Sequence, residues 1–175
     1  MSTLTLPPLA VVMGISGVGK SEIGHELAER FGVPYEDGDA FHSEANIAKM
    51  SAGTPLTDED RWPWLEAIGE WLHEHDAGGG VVSCSALRRV YRDVLVEAAP
   101  RIVFLHLAGD HDLIRSRMEH REHFMPVSLL QSQEETLEQL EPDENGELLD
   151  ITPTPAEIVD TFLERTHVVP EQEAP

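Results

Sequence analysis

Residues 14–21 read "GISGVGKS": a glycine, four residues, then Gly19, Lys20 and Ser21. This is the spacing of a phosphate-binding loop. Glycines let backbone N–H groups turn inward onto phosphate oxygens, and a helix opening at the loop adds its positive end. Gly14, Ile15, Ser16, Gly17, Val18, Gly19, Lys20 and Ser21 are expected to cradle a nucleoside triphosphate. Lys20, expected on a solvent-facing loop, should reach the β- and γ-phosphates, and the Ser21 hydroxyl should bind Mg²⁺. The bland alternative is a glycine-rich turn that binds nothing. The flanks speak against it, because "LAVVMG" reads as a buried strand and "KSEIGHELAERFG" as a helix closed by Gly32.

A second group is the acid pair in "EDGDAFH", Asp37 and Asp39. In an extended segment alternate residues share a face. One carboxylate could help hold Mg²⁺ through water, and the other could take the proton of an acceptor hydroxyl. The alternative is a turn with solvated acids. Arginines form the third group. Arg61 opens a tryptophan-rich helix; Arg88 and Arg92 are four apart after a strand end; Arg117 and Arg121 are four apart before "EHFMP". Guanidinium forks suit carboxylates and phosphates, although each could equally pair with surface acids.

These groups need a scaffold. Apolar runs and caps predict the order β-α-β-α-α-β-α-β-α-α-β-α, which implies a parallel sheet covered on both faces. A helix is expected from Phe41 to Met50, another N-capped by Thr57 whose tryptophans belong to the core, and another from Leu87 to Ala98. "VSLLQSQEETLEQL" reads as a helix, and "TPAE" at Thr154–Glu157 as a capping box with proline in the first turn. Ligands in such folds lie beyond the carboxyl ends of the strands. The glycine loop, Asp37, residues 83–85 and the stretch after His106 all fall there.

Composition narrows the partners. The 175 residues suffice for one domain, spanning 1–175, with a tail from about 168 to 175 expected to fray. A net charge of −21 repels nucleic acid and anionic membrane, so ten arginines must do most of the local work on any anionic substrate. No apolar stretch approaches a membrane span, and the N-terminus lacks the basic region of a signal peptide. A single cysteine, Cys84, fits a reducing cytoplasm. There is no N-K-x-D guanine-reading motif and no basic stripe for nucleic acid.

Together with the loop, "DGDAFHSEANIAKMSAGTPLTDEDRWPWL", "CSALRRVYRDVL" and "RMEHREHFMPVSLLQSQEETLEQLEPDE" resemble gluconokinase of the short, thermoresistant, phosphate-loop type, from about Val11 to Phe162. The resemblance implies the α/β, three-layer P-loop kinase fold of nucleoside monophosphate and shikimate kinases. That fold has a five-stranded parallel sheet, helices on both faces and a small mobile lid, here at about 119–127. It implies ATP-dependent phosphorylation of D-gluconate to 6-phosphogluconate with Mg²⁺, and a homodimer. Lys20 and lid Arg121 would then meet transition-state charge, with Arg117 nearer the adenine or phosphates. Ser21 would hold Mg²⁺ with Asp37 behind it, and Asp39 would take the acceptor hydroxyl. Arg61, Arg88 and Arg92 become candidates for substrate contact, with His42 and His123 beside them. The sequence departs from the family at Ser43, where proline is usual, at Arg88, where lysine is common, and in an extra residue within "LEQLEPDE". The rivals are a same-fold kinase with a shikimate-like or nucleotide acceptor, and a nucleotide-binding regulatory module without turnover.

Overall fold

The computed structural model describes residues 6–119 and 128–166. Arg121, His123, the expected lid beyond Glu119 and the tail from 168 to 175 lie outside the described residues. The strands are β1 (Leu9–Met13), β2 (Tyr35–Asp37), β3 (Gly80–Ser83), β4 (Val103–Ala108) and β5 (Gly146–Asp150). The helices are α1 (Lys20–Phe31), α2 (Glu44–Ser51), α3 (Asp58–Glu74), α4 (Arg89–Ala98), α5 (His111–Glu119), α6 (Ser128–Thr136) and α7 (Pro155–Thr166). Their order is the predicted one, and the sheet is parallel with strand order β2-β3-β1-β4-β5.

β1 shows why the sheet needs both faces covered. All five of its residues are buried. Ala10 and Val12 face α1, α5 and α7 through Ile23, Leu27, Ile114 and Phe162. Leu9, Val11 and Met13 face α3 and α4 through Leu65, Ile68, Tyr91 and Leu95. Successive strand residues point to opposite faces, so a run apolar on both parities can be satisfied only between two helical layers. Strand order reverses around β1, and there a crevice opens beyond the carboxyl ends.

Boundaries differ from expectation where caps decide them. Residues 38–41 form a short 3-10 turn, and α2 starts only at Glu44 because the Ser43 hydroxyl caps it, accepting from Asn46 N at 3.1 Å. The serine in place of the family's proline thus has a local role. The helix expected to run to Leu140 stops at Thr136. Beyond it the chain docks just ahead of α4, where Glu138 N donates to Leu87 O at 2.6 Å.

One buried polar residue carries a stability consequence. His106 in β4 is fully buried, and neither ring nitrogen has a hydrogen-bond partner. Burial, then the nearby Arg92 guanidinium, lower its pKa to about 4, against a weaker opposing pull from Glu144. The folded state therefore refuses a proton that the unfolded chain accepts below about pH 6.5. Stability from this group is complete above that pH and is lost as pH falls toward 4. His106→Leu should remove that dependence, so its stability relative to the parent improves by roughly 3 kcal/mol between pH 7 and pH 4. Urea unfolding at both pH values measures this, and parallel pH curves for the two proteins would refute it.

Candidate active site

The glycine loop joins β1 to α1 and is pressed against its surroundings. Gly14, Gly17 and Gly19 have φ of 145°, 86° and 92°. A Cβ on Gly14 would lie 2.7 Å from Leu107 O, and one on Gly17 would lie 2.7 Å from Met118 Cγ. Only glycine fits there, on grounds of conformation and of space. Gly19 is the N-cap of α1 and brings no side chain to its leading N–H groups, which leaves them to an anion. Lys20 does not project into solvent as expected. Its Nζ folds back to donate to Gly14 O at 2.8 Å and Ile15 O at 3.0 Å. Burial lowers its pKa, while Asp39, then Cys84 and Asp37, pull it up again. Across the loop, Ser16 N donates to Gln133 Oε1 of α6 at 2.7 Å.

The acid pair comes together by a turn, not by strand alternation. Asp37 ends β2 opposite Ser83 of β3. The chain then enters the 3-10 turn, and the Asp37 carboxylate caps it by accepting from Asp39 N at 2.9 Å. Trp64 Nε1 donates to Gly38 O at 2.7 Å and fixes the turn from α3. Asp39 meets solvent at the mouth of the cleft but has protein crowded around it. That crowding raises its carboxyl pKa; Lys20 opposes the rise and Asp37 adds to it. The Cys84 thiol behind them is buried and pushed up to about 12, so it stays protonated and is no nucleophile.

His42 stacks on Trp64 with ring centroids 4.2 Å apart and planes 12° from parallel. The Asn46 amide nitrogen donates to Asp60 O at 2.9 Å and lies 3.3 Å from His42 Nδ1. Because that nitrogen is fixed as a donor, His42 Nδ1 must accept and the ring proton sits on Nε2. Burial, then Arg61, lower the His42 pKa to about 4, so the ring is neutral near pH 7.

The arginines separate into three fates. Arg61 of α3 lines the cleft, donating to the Tyr91 hydroxyl at 3.0 Å and lying 3.6 Å from Asp58. Tyr91 in turn donates to Asp58, so the guanidinium is held by a closed set of partners. Arg88 does not line the cleft; it pairs with Asp58 at 3.1 Å and Glu138 at 3.3 Å at its edge. Arg92 contradicts its expected substrate role. It is fully buried, forked onto Glu144 at 2.6 and 3.0 Å, and donates to the carbonyls of Ala86 and Glu138 at 2.9 and 3.0 Å. Arg88, with extended backbone (φ −108°, ψ 149°), is the N-cap of α4 and stays half-exposed, while Arg92, one turn on, is held in the interior by these acceptors. Arg117 lies on the other side of the loop, in a depression with Gly19, Thr152 and Pro155, donating to Ile151 O at 3.4 Å.

One cleft thus unites Ser16, Lys20, Ser21, Asp37, Asp39, His42 and Arg61. Gln133, Asn46 and Tyr91 were not foreseen as site residues. Only Trp64 had a sequence signal pointing this way, since a buried indole N–H demands an acceptor.

The family model for shikimate kinase matches residues 16–152. A thermosensitive gluconokinase of Escherichia coli (strain K12) is 46% identical over 138 residues, covering 77% of this chain and 73% of that protein. A gluconokinase of Gluconobacter oxydans (strain 621H) is 48% identical over 135 residues, covering 75% and 76%. The crystal structure of a gluconokinase from Sinorhizobium meliloti 1021 matches with a TM-score of 0.84 and 49% identity over 93% of each chain.

Proposed function

Because the chain belongs to the gluconokinase family, we propose that it transfers the γ-phosphoryl group of ATP to D-gluconate, giving 6-phospho-D-gluconate. The observation that carries this is the single cleft joining a phosphate loop to an acid and a fixed cation. Gluconate presents a primary hydroxyl and a carboxylate, and the cleft offers one partner for each. Asp39 takes the acceptor hydroxyl, and Arg61 binds the carboxylate. His42, neutral with its proton on Nε2, donates to a substrate oxygen. Lys20 leaves the loop carbonyls to meet the phosphates, and Arg117 lies on the side of the loop suited to the nucleoside. Arg121 and His123 complete the set as charge stabiliser and substrate contact. Phosphoryl transfer asks for positioning and charge neutralisation more than for covalent chemistry.

The residues also suit Mg²⁺. Ser21 and Asp37 are hard oxygen donors lining the same cleft. Among the described residues no group of three or more His, Cys, Asp or Glu could hold a metal by itself. The ion would thus rest on Ser21, on Asp37 through water and on the phosphates, as Mg²⁺ ordinarily does. When bound it neutralises phosphate charge. A cytoplasmic, dimeric enzyme is part of the same proposal. In the described residues no helix is long and apolar enough to cross a membrane.

ATP consumption with gluconate, shikimate or a nucleoside monophosphate tests the reading; ADP release should depend on gluconate alone. Turnover with another acceptor in its place would refute it. Arg61→Ala should raise KM for gluconate roughly ten- to hundredfold, the loss of a charged hydrogen bond, with KM for ATP nearly unchanged. A rise in both would move Arg61 out of the acceptor pocket.

A further inference from the structure

The hydrogen bond from Ser16 N to Gln133 links a phosphate-loop N–H to a neutral carboxamide from a distant helix. Loop N–H groups of this kind face inward to meet phosphate oxygens. The Gln133 oxygen is an acceptor of the same geometry but without charge, and at 2.7 Å it holds the donor fully. α6 itself is seated by Leu130, which is buried in the core with α1, α5 and α7. Gln133 is only partly buried and has three side-chain torsions, so it can let go without α6 unseating.

We propose that Gln133 is a displaceable placeholder for phosphate: its carboxamide holds Ser16 N–H and yields it when the nucleotide arrives. The inference rests on the phosphate-loop reading above and adds a residue that sets nucleotide affinity. Keeping the N–H satisfied while the loop is empty lets the loop hold its shape, since a withdrawn backbone donor without a partner is unfavourable. Each binding event must then exchange one hydrogen bond for another. Gln133 stands beside Ser132 and Thr136, which line the same cleft.

Calorimetric titration of Mg²⁺ and a non-hydrolysable ATP analogue into the full chain tests this. Gln133→Ala removes the competitor, so Kd should tighten about two- to tenfold, the worth of one neutral hydrogen bond. Gln133→Glu keeps the length, strengthens the hold on Ser16 N–H and repels phosphate, so Kd should weaken by about tenfold or more. Opposite signs from the two variants, with thermal melts near the parent's, support the placeholder. Weaker or unchanged binding in Gln133→Ala while the parent binds normally overturns it and makes Gln133 a ligand contact or a bystander. Absence of binding in the parent overturns the phosphate-loop reading itself.

Discussion

Lys20→Ala is expected to fold as the parent does and to lose on the order of 10²–10³-fold in kcat, the usual cost of deleting one preorganised donor to transition-state charge. The structure explains why the two effects separate. Among the described residues Lys20 Nζ donates to backbone carbonyls of the loop it belongs to, Gly14 and Ile15. The favourable bonds are offset by withdrawing an ammonium from water, which is what lowers its pKa. Removing the side chain deletes both the bonds and that cost, so the melting temperature should move little. Among the described residues the other cation lining the cleft is Arg61, which is paired with Tyr91 and Asp58 on the acceptor side and does not take the place of Lys20. Saturating-ATP kinetics beside a thermal melt measures both. Near-normal kcat would mean that the loop does not hold the transferred phosphate.

Asp39→Asn should lower kcat with gluconate by roughly a hundredfold or more, while ATP affinity stays within a few-fold. Asp37→Asn should instead shift the Mg²⁺ dependence of the rate. The assignment follows from the turn. Asp37 gives an oxygen to Asp39 N and stands at the end of β2, level with Ser83. The protein crowded around the solvent-reaching Asp39 raises its pKa. A base with a raised pKa is the stronger base near neutrality, so Asp39 is better matched to accepting a hydroxyl proton. Activity should accordingly fall as pH drops through a value higher than that of a free aspartate, and that acid limb should vanish in Asp39→Asn. Single-turnover kinetics with Mg²⁺ titration on both variants decides between the roles. An Asp39→Asn enzyme with parental single-turnover rates would leave the pair a purely structural turn.

Much of this was legible in the chain itself. The phosphate loop, the order of strands and helices and the two-sided burial of β1 follow from local spacing and parity, which the fold obeys. Errors arose where one side chain overrode a pattern. Ser43 moved the start of α2, and Glu144 drew the Arg92 guanidinium into the interior. The acid pair was found for an incomplete reason, since the Asp37 cap, and not the pleat, brings Asp39 N to it. What could not be read were contacts between elements far apart in sequence. Trp64 on Gly38 O and Gln133 on Ser16 each join residues that only the folded chain brings together.

The placing of β1 between β3 and β4 also governs how the chain is made. β1 ends at Met13, yet its first sheet neighbour begins at Gly80 and its second at Val103. At about 5–20 residues per second on the ribosome, an entirely apolar strand waits several seconds for each edge to be matched. Until then α1 covers one side of it, and the opposite side waits for α3 and α4, which end only at Glu74 and Ala98. Nascent chains stalled before β4 should therefore be captured by chaperones and cleaved readily by protease. Chains released after α7 has docked on α1 should resist both.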